Sequence, residues 1–91
     1  MSVSVRIPTQ LRTLTGGAGE VTVEGSSVGE VLKALDGAYA GFGDRIFDDN
    51  GGLRRFVNVF VADEDVRFLD GLTTPVAAGQ TISIVPAVAG G

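Results

Sequence analysis

Ser27-Val28-Gly29-Glu30-Val31-Leu32-Lys33-Ala34-Leu35-Asp36-Gly37-Ala38-Tyr39 is the stretch from which the rest of the chain can be read. Ser27 and Glu30 have the spacing of a capping box, in which a hydroxyl accepts from the N3 amide and a carboxylate reaches back to the cap's own amide. Val28, Val31, Leu32, Leu35 and Tyr39 then recur at intervals of three and four, which gathers them into one apolar stripe. Glu30, Lys33 and Asp36 fall on the opposite side, toward water. Gly41 and Gly43 supply the stop. A single amphipathic helix needs one apolar surface to lie on, and the flanking sequence supplies it as strands.

Before the helix, Ser2 to Ile7 places Val3, Val5 and Ile7 on one face and Ser2, Ser4 and Arg6 on the other, the alternation of a half-buried strand. Pro8 cannot continue a ladder. Thr15-Gly16-Gly17-Ala18-Gly19 is a turn-rich run, after which Val21-Thr22-Val23 resumes the alternation, so a hairpin with a long connection is expected. Beyond the helix, Ala40 to Leu53 is rich in Gly and Asp and reads as a surface loop anchored at the core's edge by Ile46 and Phe47. Phe56-Val57-Asn58-Val59-Phe60-Val61 is a strong strand, Asp65 to Phe68 a weaker one, and Thr81-Ile82-Ser83-Ile84-Val85 the last, ended by Pro86. The expected class is α+β: a mixed sheet of four to five strands with one main helix packed on one face. Parallel pairing of the first and last strands would set the helix over that face. Residues 1–91 form one domain in this reading, with 86–91 as a flexible C-terminal tail.

Composition narrows the chemistry. At 91 residues the chain has room for one small core, and it contains no Cys and no His. That removes thiol nucleophiles, imidazole bases, iron–sulfur ligation and any Ser-His-Asp triad from this chain, so side-chain catalysis is not expected. No Asp/Asn spacing matches an EF-hand, and Asp48, Asp49, Asp63, Glu64, Asp65 and Asp70 read as solvated loop charge, with no metal site expected. A net charge of −4 and a pI of about 4.5 disfavour nucleic acid and anionic lipid. The N-terminus alternates in polarity and no run of about 18 apolar residues occurs, so a soluble, cytoplasmic protein is expected.

The chemistry is expected at the end of the chain. Glycine is about 7% of residues, so Gly90-Gly91 alone is a modest signal. It gains weight from Pro86-Ala87-Val88-Ala89, small or apolar residues without reactive groups, leading up to it. Without a Cβ, an extended Gly-Gly segment can thread a narrow tunnel to a buried active site. A carboxylate becomes a usable acyl donor once it attacks the α-phosphate of ATP and forms an acyl-adenylate, whose leaving group is AMP. A sulfur nucleophile then gives a thiocarboxylate. ATP, Mg²⁺ and charge stabilisation have to come from a partner, because this chain carries no group suited to supply them.

The order of elements, together with Val85-Pro86-Ala87-Val88-Ala89-Gly90-Gly91, resembles the ubiquitin-like β-grasp sulfur carriers of the MoaD/ThiS family. Arg55-Phe56-Val57-Asn58-Val59-Phe60-Val61, Asp63-Glu64-Asp65-Val66-Arg67-Phe68 and Gly71-Leu72 resemble its CysO branch in particular. The resemblance covers essentially the whole chain, and this middle block is more specific than the terminal glycines. It implies a carrier, not an enzyme, whose Gly91 is adenylated by an E1-like partner, thiocarboxylated and used as a sulfide donor, with Gly90 its required neighbour. It also implies a sulfur-accepting synthase, for cysteine or another sulfur-containing metabolite, and in CysO-type systems a zinc metalloprotease that releases the product. No cofactor bound by the chain itself is implied.

Strand alternation sets Phe56, Asn58 and Phe60 on the face away from the helix, with Val85 near the tail. Phe56, Phe60 and Val85 either form a docking surface for a partner or cover loops within the monomer. Arg54 and Arg55 are either a contact for an acidic partner or a solvated pair. Three other functions share the same features: a protein modifier joined through Gly91 to a target lysine, a small subunit held in a synthase, and a plain interaction module.

Overall fold

The structure is a computed structural model, and it describes residues 2–55 and 57–86. The helix, α1, spans Val28–Ala38 and buries Val28, Val31, Leu32 and Leu35 completely. Ser27 is its extended N-cap, and its hydroxyl accepts from the Glu30 amide at 3.3 Å. The reciprocal half of the capping box is shifted by one residue. Glu30 accepts from the backbone amide and the hydroxyl of Ser26, at 3.1 and 3.0 Å. Tyr39 lies just past the helix as its extended C-cap, half-buried against the same core, with its ring edge-on to Phe42.

The Ser26 amide, then the Ser26 hydroxyl and more weakly Lys33, hold the Glu30 carboxyl below its ordinary value of 4.5. A depressed folded-state pKa adds stability that is present above the unfolded value and lost as pH falls through the folded one. Glu30→Gln keeps an acceptor but cannot ionise. Urea midpoints of wild type and Glu30→Gln should therefore differ near neutrality and converge as pH drops through roughly 5 to 3. A pH-independent difference would show that ionisation at Glu30 is irrelevant to stability.

Beneath α1 lies a five-stranded mixed sheet in the order β2-β1-β5-β3-β4. The strands are β1 Ser2–Arg6, β2 Glu20–Glu24, β3 Val57–Val61, β4 Glu64–Asp65 and β5 Thr81–Pro86. β1 runs antiparallel to β2 and parallel to β5, the pairing that sets the helix over this face, while β3 is antiparallel to both β5 and β4. The register sets Val5 opposite Val21 on one side and Ile82 on the other, and Val59 opposite Ile84. The register thereby turns Val3 and Val5, Val21 and Val23, Val57, Val59 and Val61, and Ile82 and Ile84 to one face, where they join the α1 stripe in one core.

Four segments depart from expectation through a side chain that hydrogen-bonds to nearby backbone, and β5 also runs one residue further than expected. Residues 9–15 form a 3-10 helix, Thr9–Thr15, where an open hairpin connection was expected. Leu11 is buried there, and the Thr15 hydroxyl lies within reach of the Arg12 and Ala18 carbonyls at 3.1 and 2.8 Å. Part of the expected 40–53 loop is a second helix, α2, Phe42–Ile46, with Phe42 and Ile46 fully buried one turn apart. Asp36, expected to face water, accepts from the Gly43 amide at 2.7 Å in the first turn of α2. A Cβ on Gly43 would lie 2.9 Å from that carboxylate, so this glycine admits Asp36 and does not end a helix. Gly41, at φ +107°, makes the turn between the helices.

Asp48 likewise organises its loop instead of standing free, its Oδ1 accepting from the Asn50 and Gly52 amides at 2.9 and 3.0 Å. The weak strand expected over 65–68 is only Glu64–Asp65. Asp65 accepts from the Arg67 amide at 2.8 Å and turns Val66–Phe68 into a 3-10 helix. Finally, β5 includes Pro86, which lies opposite Val57.

Candidate functional site

β5 sits between β1 and β3; β1 pairs with it as far as Ser83, and β3 continues alongside it to Pro86, which lies opposite Val57. Pro86 is half-buried; the preceding Val85 is 44% exposed, one of the few large apolar side chains in the open. Val85 lies opposite Asn58, and Phe60 lies opposite Ser83, so Phe60 and Val85 are diagonal neighbours on the sheet face that α1 does not cover. The expected tail residues Ala87, Val88, Ala89, Gly90 and Gly91, and Phe56 of the expected docking set, lie outside the described residues.

The approach to β3 is held by Arg67. Its guanidinium donates to Asn58 Oδ1 at 2.6 Å, to the Val57 carbonyl at 2.7 Å and to the Arg54 carbonyl at 2.8 Å. β4 pairs only with Phe60 and Val61, so the Val57 carbonyl lies on a stretch of β3 edge that β4 leaves open. Arg67 supplies a donor there and fixes the strand that faces Pro86.

Two hollows open beside Pro86. One, of about 360 Å³, lies along β1 and β5 and is walled by Arg6, Pro8, Ser83 and Val85. The other, of about 490 Å³, has an apolar floor of Leu11, Val57 and Pro86 and a rim of Arg45, Arg54 and Arg55. Arg54 donates through Nε to the Asp44 carbonyl at 2.9 Å. Arg45 and Arg55 are exposed and make no hydrogen bond or ion pair with another described residue.

Arg54-Arg55 stood out in the sequence, but Arg45 did not, since its proximity depends on α2, which its Gly- and Asp-rich setting concealed. Arg67 gave no signal, because nothing local in the sequence says that it reaches back ten residues. Among the described residues no three carboxylates gather as a metal site, and no helix is long and apolar enough to cross a membrane. What the described part of this end of the molecule presents is a central strand flanked by an apolar face and an arginine-rimmed hollow.

A mixed five-stranded sheet with one long helix on one face is the ubiquitin-like β-grasp architecture. The chain belongs to the ThiS family, whose model matches residues 5–91. It is 48% identical, over the whole of both chains, to the sulfur carrier protein CysO of Mycobacterium tuberculosis. A chain in the crystal structure of the Amycolatopsis orientalis BexX/CysO complex superposes with a TM-score of 0.92 at 47% identity, covering 98% of this chain and 99% of that one. The small archaeal modifier protein 1 of Haloferax volcanii has a TM-score of 0.82 at 28% identity, covering 96% and 98%.

Proposed function

We propose that this chain is a sulfur carrier that works through the carboxylate of Gly91. The observation that carries the reading is family membership together with 48% identity, end to end, to a protein described as a sulfur carrier. In the proposed cycle a carboxylate oxygen of Gly91 attacks the α-phosphorus of ATP bound with Mg²⁺ in an E1-like partner, and pyrophosphate leaves. A sulfide-level sulfur attacks the resulting carbonyl carbon, AMP leaves, and Gly91 carries a thiocarboxylate. A synthase then takes the sulfur into cysteine or another metabolite, and a zinc metalloprotease frees the product where the carrier remains attached to it. Gly90 and the small residues from Ala87 onward let the end enter the partner's site. Phe60 and Val85, on the uncovered sheet face, are the proposed apolar contact, with Phe56 the third member that the sequence suggests.

The likeness to an archaeal modifier protein favours one second reading, in which the same activated Gly91 is joined to a lysine of a target protein. Intact-mass measurement of protein isolated from its native host without thiols separates the two. A gain of one sulfur for one oxygen, located by fragmentation at Gly91, is the expected result. Isopeptide-linked conjugates would favour the modifier. A free carboxylate that persists after incubation with host extract, ATP and sulfide would overturn both readings.

A further inference from the structure

We infer that the arginine-rimmed hollow beside Pro86 is the seat of a carboxylate-bearing segment of the activating enzyme, an inference that rests on the carrier reading. Charge comes first. The chain carries a formal −4, yet three of its seven cationic side chains, Arg45, Arg54 and Arg55, ring this one hollow. The acidic side chain among them, Asp48, directs one oxygen to the amides of its own loop. Arg45 and Arg55 have no partner among the described residues, whereas Arg12, Arg54 and Arg67 each donate to a carbonyl. A cationic patch on an otherwise acidic protein orients an approaching anionic surface toward itself.

Position comes second. The floor includes Pro86, from which five residues lead to Gly91. A partner that takes Gly91 into its active site must therefore cover this end of the molecule. A tail threaded fully extended carries Gly91 and its adenylate about 18 Å from Pro86, beyond hydrogen-bond reach of the arginines. The anion in the hollow is thus a protein carboxylate, not the nucleotide's phosphate. Leu11 and Val57 in the floor fit the methylene stems of Glu or Asp side chains and help to exclude water around the ion pairs. Arginine's planar fork suits bidentate pairing with such carboxylates.

The test uses the full chain with the E1-like enzyme of its own host, reading ATP–pyrophosphate exchange across a range of carrier concentrations. Arg45→Glu/Arg55→Glu should raise KM about tenfold or more with kcat within about twofold, and should flatten the salt dependence seen with wild type. Arg45→Gln/Arg55→Gln, which removes charge without adding repulsion, should give a smaller rise of the same kind. Lys33→Glu, a reversal on the exposed side of α1, should leave KM within about twofold. Unchanged KM in the double reversal, or an equal rise for Lys33→Glu and the double reversal, would overturn the docking assignment while leaving the carrier reading intact. No exchange with wild type at all would instead overturn the carrier reading, and the docking assignment with it.

Discussion

Deleting Gly91 should abolish ATP–pyrophosphate exchange while leaving the unfolding midpoint where it was. The truncated chain still ends in a glycine carboxylate, that of Gly90, but this group stops about 3.5 Å short along an extended backbone. Displacements of about 1 Å at a reacting centre can cost 10²-fold, so the loss should be at least that large. The fold should not register the change, because the core is built from side chains between Val3 and Ile84. Exchange at the wild-type rate by the truncated protein would place the reacting group somewhere other than Gly91 and sink the carrier reading. Parallel loss of exchange and stability would show that the end of the chain is part of the fold.

The second large effect lies in the core. Phe42→Ala should destabilise the protein by about 3–5 kcal/mol, the usual cost of emptying a fully buried aromatic site. In a domain of this size that corresponds to a fall in Tm of very roughly 15–30 °C, a large share of the stability such domains possess. Phe42 belongs to α2, packs edge-on against Tyr39 with ring centroids 6.5 Å apart, and is among the largest fully buried side chains. Thermal and urea unfolding followed by circular dichroism would measure the change. A loss below about 1 kcal/mol would mean that α2 is not docked as described.

α2 also shows where sequence reading stops working in this chain. β1, β2, β3, β5 and α1 were legible because each carries several apolar residues at one period, and their burial follows that period. α2 has only Phe42 and Ile46 to show, a single helical repeat, inside a run of Gly and Asp that otherwise signals a loop. What makes it a helix is a carboxylate seven residues upstream, and a contact of that kind has no local signature. The shifted cap has the same origin: Ser26 and Ser27 both precede Glu30, and only geometry decides which amide the carboxylate meets. In the candidate site, Phe60 and Val85 could be placed on one face by counting strand residues. Arg45 could not be placed beside Arg55, since α2 and the ordered loop after it bring the two together.

The position of β5 also governs how the molecule bears load. A partner that grips the segment beyond Pro86 and draws on it pulls along the axis of β5, whose ladders to β1 and β3 lie on either side. Interstrand hydrogen bonds stand across the strands, so tension along β5 loads both rows in shear and shares the force among many bonds at once, whereas an edge strand peeled from one end would yield bond by bond. If the proposed carrier cycle holds, the strand that leads to the reacting carboxylate is also the one best placed to withstand a partner's pull on it.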